Sequence, residues 1–546
     1  MPDSALILRA YKTWGEDCAA HLLGDFAFAV WDGRAEKLVL GRDHMGQRSV
    51  FYCKAANFFV FASEVKGLWA LADVPRRLID EAFARRFFKV LDREPEGGTL
   101  YQEIFGVPGG TVVAVERNGA ARQRRYWEPH PDPAHESRDE GHYIEHYRSI
   151  LTEAVACRLR RLTGPAALMM SAGFDTAAIA GLAGPVVAER GRKLISLSWF
   201  KSTTALEGDF RPWLEACRRV MPHLDIREVS RPPENPLVGV EQRFLVNDGF
   251  ANSRHKIVFY LFAEAKAAGA RLIMDGFGGD YTVNPRGIGA LARHLRKGQF
   301  RRFIAELRPH LRATGYSPWA LLKYEIIRPM LPQSIVRWQR ELRQAGDYIR
   351  LIAAQRDMAG PCLQELRRRR PADDIRMTES IPLTAMWARI HYVANRACRR
   401  TQAAGGVPAA SHGLDLTLPF HDKRVVEFGL AVPEDLYVKN GLNRYIARRA
   451  LADVYPPEFQ NRGRRNEGIL EDEVAILEAS APGLAAEAER LAKSARLAGY
   501  FDFQRVREAL LPPKIGDTWD LMQKESALRA LLFARFIAWF EGINVQ

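Results

Sequence analysis

The stretch Ala166-Ala167-Leu168-Met169-Met170-Ser171-Ala172-Gly173-Phe174-Asp175-Thr176, running on into Ala177-Ala178-Ile179-Ala180-Gly181-Leu182, constrains the fold more than any other part of this chain. A short unbroken apolar run predicts a strand buried on both faces, and the alanine-rich run after it predicts a helix. The small residues between them leave room only for a tight loop. A buried parallel strand, a tight loop and a helix N-terminus together make an anion site. Ser171, Ala172 and Gly173 let backbone N–H groups approach a phosphate, Ser171 and Thr176 add hydroxyls, and the helix dipole favours negative charge there. Asp175 is the exception in such a place, because a carboxylate beside a phosphate is repulsive unless a divalent cation such as Mg2+ lies between them. Taken by itself, the loop fits an ordinary strand-to-helix turn equally well.

The 546 residues are too many for one core and predict about two to four domains. A hydrophobic content of 47% and a charged content of 26% are those of a soluble globular chain. No apolar run approaches the ~18 residues of a membrane span, and Met1-Pro2-Asp3-Ser4 does not read as a signal peptide, so a cytoplasmic protein is expected. Six cysteines, at 18, 53, 157, 217, 362 and 398, include no C-x-x-C pair and predict reduced structural thiols. The net charge of +14 is concentrated in Arg293-His294-Leu295-Arg296-Lys297 with Arg301-Arg302, and in Arg367-Arg368-Arg369-Arg370. Such clusters serve nucleic acid, an acidic peptide or a triphosphate, or are solvated helix faces; without interleaved aromatics they are not base-stacking platforms.

In chain order, 6–14 and 16–22 read as amphipathic helix, followed by short aromatic or β-branched runs at 26–31, 37–40, 50–52 and 58–61 that predict hairpins. A hairpin over 111–115 and 122–127, with Asn118-Gly119 at its turn, closes this region. The blocks Gly24-Asp25-Phe26-Ala27-Phe28-Ala29-Val30-Trp31-Asp32, Gly41-Arg42-Asp43-His44-Met45-Gly46 and Phe61-Ala62-Ser63-Glu64-Val65-Lys66 resemble the later part of the glutaminase domain of glutamine-dependent asparagine synthetases. In that family the nucleophile is an N-terminal cysteine whose α-amine is the base. The resemblance begins past that cysteine, Met1-Pro2 offers no thiol, and Asp3 is read as a remnant of glutamine binding, so glutaminase activity is not expected of these residues. The Pro-rich segment 129–141 reads as a linker. His142 and His146 lie one turn apart on the helix predicted after it, but with no third ligand in sight they read as an exposed face rather than a metal site.

No lysine precedes Thr176, so the 171–176 loop is not a Walker A loop. It resembles the Ser-Gly-Gly-x-Asp-Ser pyrophosphate loop of ATP pyrophosphatases, with Ala172 for glycine and Thr176 for serine. Strands predicted at 193–199 and 271–274, with a helix at 259–268 between them, extend an alternating α/β pattern whose ligand lies at the strand C-termini. The last of these strands runs into Asp275-Gly276-Phe277-Gly278-Gly279-Asp280, which resembles the synthetases' Ser-Gly-x-Gly-Gly-Asp-Glu motif. Residues 287–403 read as arginine-rich helix with little motif content. The segments 412–428, 441–449 and 456–465 then resemble the synthetases' C-terminal signatures. The resemblance implies an α/β chain: a truncated N-terminal-nucleophile, glutaminase-like α+β domain over 1–128, a linker over 129–141, and a doubly wound parallel-sheet ATP pyrophosphatase domain with helical additions over 142–546.

The chemistry implied by the resemblance is adenylation of a carboxylate by ATP, release of pyrophosphate, and attack by an amine. Asp175 and Asp280 are then the carboxylates that hold Mg2+, and Arg464 is a cation on the departing pyrophosphate. Met170, Ser171, Ala172, Gly173, Thr176, Leu197, Asp275 and Gly276 are the implied nucleotide contacts, with Leu197 lending backbone to the adenine. Departures from the asparagine synthetase pattern cluster elsewhere: Tyr281 and Asp415 replace glutamates, Thr417 replaces an arginine, and His421 replaces an apolar residue. A small zwitterion such as aspartate needs fixed charges, and Thr417 supplies none. Three readings follow. The first is a lasso peptide macrolactam synthetase, acting on a precursor peptide with a leader peptidase or leader-binding protein as partner; the long helical insert and Asp209-Phe210-Arg211-Pro212-Trp213 favour it. The second is an asparagine synthetase proper, and the third a tRNA-modifying ATP pyrophosphatase or an inactive binding relative.

Overall fold

A computed structural model describes residues 2–55, 57–88, 96–160, 162–199, 211–229, 234–247, 256–285, 289–331, 335, 353–368, 406–462 and 471–542. A helix over Asp3–Trp14 is stopped by Gly15 at φ 57°, a conformation that other residues rarely adopt, and passes into a 3-10 turn, Gly15–His21. Seven strands follow: β1 (Ala27–Asp32), β2 (Lys37–Arg42), β3 (Phe51–Lys54), β4 (Phe59–Ala62), β5 (Ile104–Gly106), β6 (Thr111–Glu116) and β7 (Ala121–Arg125). They form two antiparallel sheets, ordered β1-β2-β6-β7 and β4-β3-β5. Phe28 and Val30 on β1 point inward and Trp31 outward, and the Phe28 ring lies where a side chain at Gly41 on β2 would stand.

The second region is built on five parallel strands, β8 (Ala166–Met169), β9 (Leu194–Trp199), β10 (Leu224–Val229), β11 (Leu272–Asp275) and β12 (Asp415–Thr417), in the order β10-β9-β8-β11-β12. The chain moves outward from β8 to β10 and then returns to the other side of β8 as β11. The crevice between the C-terminal ends of β8 and β11 is therefore the topological switch point, where doubly wound sheets bind ligands. The doubly wound expectation holds, and two strands join it that the sequence reading did not mark. β10 is an edge strand whose alternating charges hide it, and β12 has only three residues.

The helix after the linker spans Glu140–Leu159, capped by the Asp139 carboxylate on the His142 amide at 2.7 Å. The linker does not hang free. The Trp127 indole donates to Glu427 Oε1 at 2.7 Å and the Asp132 amide to the Glu427 carbonyl at 3.2 Å, which seats the linker on the helix Lys423–Ala431. Helices over Glu471–Ala492, Ala495–Tyr500, Phe503–Leu510 and Thr518–Glu541 close the chain. They share one core with the β4-β3-β5 sheet and the helix Asp80–Phe87, in which Phe83 meets Phe533 edge-on at 5.0 Å.

The described part of the arginine-rich insert includes helices over Ala290–Arg296, Phe300–Thr314 and Pro361–Arg368 and a run of short helical turns from Pro318 to Met330. Arg293 and Arg302 pair with the acidic turn at Glu434 and Asp435, so part of this basic cluster is used within the fold. Cys18, Cys53, Cys157, Cys217 and Cys362 are free thiols, and Cys398 lies outside the described residues. Among the described residues no helix is long and apolar enough to cross a membrane.

Candidate active site

The loop after β8 continues the sheet for one residue: the Met170 amide donates to the Leu197 carbonyl at 2.8 Å, and Ser198 Oγ donates to the Met170 carbonyl at 2.8 Å. Met170 and Leu197 are thus neighbours at the strand ends, both buried. Ala172 then takes φ 50°, a left-handed conformation that costs a non-glycine residue about 1–2 kcal/mol. Ala172 is held there by Arg462, whose guanidinium donates to its carbonyl. Gly173 caps the helix Phe174–Ala188 without a side chain, so the first-turn amides meet no side-chain cap, the arrangement that an incoming anion completes. Ser171 Oγ and Thr176 Oγ1 face each other at 3.4 Å across this loop.

The second loop leaves β11 at Asp275, whose carboxyl is pushed up to about 6 by burial, against the pull of the Phe277 and Gly276 amides. The two loops touch. A side chain at Gly276 would collide with Thr176 and Asp175, and one at Gly279 would stand inside the Asp175 carboxylate. Glycine is required at both positions for close approach rather than for backbone freedom. Asn284 Nδ2 donates to Asp175 Oδ1 at 2.5 Å, and the buried Tyr147 hydroxyl donates to Asn284 Oδ1 at 2.7 Å. Arg444, itself left-handed at φ 53°, donates to Asp280 Oδ1. Burial alone lowers the pKa of Arg444, but the charges of Asp175 and Asp280 outweigh that and hold it above the ordinary value.

Arg444, Arg448 and Arg462 place their guanidinium carbons 5.3, 4.3 and 5.8 Å from the centre of the Phe174 ring. Arg448 is buried and donates to the carbonyls of Asn443, Phe459, Gln460 and Arg462, which binds 459–462 to the loop. Burial, then the charge of Arg444, pulls Arg448 down to about 10, still protonated near neutral pH. Arg464 lies outside the described residues, two positions beyond Arg462. Asn284, Arg444 and Tyr147 carry geometry that the sequence reading did not assign. Arg444 lay within a recognised signature block, whereas a lone asparagine and a helical tyrosine leave no signal of their own.

A second cluster sits where the two regions meet. Arg158 donates to Thr417 Oγ1 at 2.7 Å, Asp25 Oδ1 at 2.7 Å and Asp422 Oδ2 at 3.0 Å, while Thr417 donates to Asp25 Oδ2. The Gln47 amide donates to Asp25 and accepts from the Leu418 backbone. Thr417 supplies no charge of its own, and the guanidinium at this place comes from another helix, as Arg158. Burial works against that charge, but Asp25 and Asp422 more than restore it. His421 is buried against Gly278 and held down to about 4 by burial, so it is neutral near pH 7. Tyr281 packs on the apolar cluster of Met45, Trp127, Val426 and Leu430. In the N-terminal region Cys18 is fully buried and its thiol is pushed up to about 11 by burial, which suits packing and not nucleophilic attack.

Residues 1–127 match the family model described as a glutamine amidotransferase domain, and residues 146–541 match that of asparagine synthase. Asparagine synthetase [glutamine-hydrolyzing] 3 of Bacillus subtilis is 23% identical over 474 residues, covering 84% of this chain and 69% of that protein. Putative asparagine synthetase [glutamine-hydrolyzing] 2 of Methanocaldococcus jannaschii is 26% identical over 182 residues, 33% of this chain and 35% of that protein. The amidase chry2 of Gibberella zeae is 29% identical over 198 residues, 35% of this chain and 28% of that protein.

Proposed function

Because the chain belongs to the asparagine synthase family, a family of ATP-dependent carbon–nitrogen ligases, we propose that it forms an amide within a peptide by way of an acyl-adenylate, the macrolactam closure of a lasso peptide. The observation that carries the ATP half of this reading is the meeting of two acidic, glycine-built loops at the switch point, beside three arginines on the Phe174 ring. The helix N-terminus at Gly173 receives phosphate oxygens, and Met170 and Leu197 border the adenine. Asp175 and Asp280 fit Mg2+, since both are carboxylates brought to one place, the first oriented by Asn284 and the second by Arg444. When bound there, Mg2+ neutralises charge on the departing pyrophosphate. A peptide side-chain carboxylate attacks the α-phosphorus and pyrophosphate leaves; the peptide's N-terminal amine then attacks the acyl carbon, loses a proton, and AMP leaves.

A peptide, and not free aspartate, is favoured by the charge balance at Thr417. Arg158 is taken up by Asp25 and Asp422, and Arg424 by Asp422 as well, so the cations of this cluster are already paired with its own carboxylates and are not held ready for a small substrate's carboxylate. Asparagine formation is the second reading, favoured by the similarity that spans 84% of the chain.

The test runs two reactions side by side with ATP and Mg2+. Aspartate plus ammonia is expected to give no asparagine. A cognate precursor peptide, freed of its leader by its peptidase, is expected to give AMP and a product lighter by one water. Asparagine formed at a useful rate with no dehydrated peptide overturns the peptide reading and leaves the adenylation reading standing.

A further inference from the structure

We propose that His135, His142 and His146 form a site for a late first-row divalent transition-metal ion, with Zn2+ the expected occupant, that ties the interdomain linker to the helix Glu140–Leu159. The sequence supplied only two histidines one turn apart. The fold supplies the third: the 3-10 turn Pro133–His135, capped by the Asp132 carboxylate on the Ala134 amide at 2.9 Å, brings His135 against that helix. One ring nitrogen from each of the three lies within 4.8 Å of the others. Zinc–nitrogen bonds of about 2.0–2.1 Å in a tetrahedron need nitrogens roughly 3.4 Å apart, which small side-chain rotations reach. His135 Nδ1 and His142 Nε2 already stand 2.9 Å apart, and the His142 and His146 rings stack at 3.9 Å.

The second nitrogens are what distinguish this group from a chance cluster. His146 Nδ1 lies 2.9 Å from the His142 carbonyl, which makes it the donor nitrogen and turns the Nε2 lone pair outward. His135 Nδ1 is the nitrogen that faces His142, and its Nε2 lies 3.8 Å from Asp132 Oδ2. The carbonyl on the far nitrogen of His146 is the kind of outer partner that fixes the tautomer of a metal-bound imidazole, while the Asp132 carboxylate, beyond hydrogen-bond reach, adds only its charge beside His135. Three imidazoles with no thiolate and no carboxylate in the inner set select zinc, copper, nickel or cobalt over magnesium or calcium. Three protein ligands leave a fourth position for water.

The site's role follows from what it joins. His135 packs edge-on against Phe428 at 5.0 Å, so the ion clamps the linker onto the helix Lys423–Ala431 as well. Tyr147, next after His146, holds Asn284 and through it Asp175, and Arg158 near the far end of the same helix holds the interdomain cluster. The metal is a strut for that helix and takes no part in the chemistry.

The test uses the untagged full chain, stripped with a chelator and dialysed into buffer with excess Mg2+ to fill carboxylate sites. Zinc titrated calorimetrically, with metal analysis of the gel-filtered protein, is expected to show one ion per chain and a raised Tm. Cobalt in its place is expected to give the visible bands of a tetrahedral nitrogen site. H135A, H142A and H146A should each weaken binding at least 100-fold, and the triple change to glutamine should bind no ion while keeping the parent's circular dichroism. Should a variant fail to fold, H146N alone with cobalt spectra decides. No saturable zinc uptake by the parent, or uptake undiminished in the folded variants, overturns the site.

Discussion

Asp175 and Asp280 stand where two loops close on each other, yet neither is left as bare charge. Asn284 donates to the first and Arg444 to the second. Replacing either carboxylate with an amide of the same shape keeps a hydrogen-bond acceptor for these partners and removes the charge that a magnesium–pyrophosphate complex needs. Asp175→Asn and Asp280→Asn are each expected to lower AMP formation at least 100-fold while moving Tm by no more than a few degrees. AMP formation near the parent rate in both variants would remove the metal-binding role from these residues. Thr417 shows how a residue read alone misleads: the charge absent from its side chain arrives as Arg158, and the carboxylates around it then cancel it.

Among the elements, the turn 43–48 between β2 and β3 has the most distant effects. The Asp43 carboxylate accepts the amides of Gln47 at 2.8 Å and Arg48 at 2.9 Å, and Gln47 then carries the turn to Asp25 and to the Leu418 backbone beyond β12. Asp43 is buried; that burial, with the charge of Asp25, pushes its carboxyl up to about 6 from the ordinary aspartate value near 3.8. The folded state therefore binds the proton more tightly than the unfolded state, so this group's contribution to stability is full below about 4 and is lost as pH rises through about 6. Measured by thermal unfolding, the stability of the parent relative to Asp43→Asn is expected to improve by about 1 kcal/mol between pH 7 and pH 5. A difference that stays flat across that interval would mean that Asp43 is ionised throughout.

For the molecule as a whole, the decisive feature is that one face of the β4-β3-β5 sheet packs on the first sheet, through Tyr52 and Phe59, while the other is covered by a distant part of the chain. That second face and the helix Asp80–Phe87 bury against the C-terminal helices, with Phe83 and Phe87 on Phe533 at 5.0 and 5.4 Å, and with Arg529 donating to the carbonyls of Arg86 and Phe87. The two ends of the chain thus share one hydrophobic core, and the parallel sheet sits between them in sequence. Phe533→Ala, which empties the middle of that core, should cost about 3–5 kcal/mol. Calorimetry should show one endotherm shifting as a unit. Two endotherms, with only the later one moved, would show that the N-terminal region unfolds on its own.

The local backbone of the candidate site was legible in the residues themselves. The apolar run of β8, the small residues 171–173 and the glycines of 276–279 each state a backbone requirement that few other residues meet, so the loops and the switch-point sheet could be written down without coordinates. Solvent and chain reversal leave weaker marks. β10 alternates charge because it is an edge, β12 is too short to show a period, and the linker's prolines look like a tether although its backbone is bonded to the helix Lys423–Ala431. Folding alone chose which distant side chains meet: Arg158 with Asp25, Asn284 with Asp175, Arg444 with Asp280, His135 with His142 and His146. Backbone preference acts over a few neighbouring residues and is written in them. Coulomb and coordination partners are chosen by distance in space, which a linear chain does not record until it has folded.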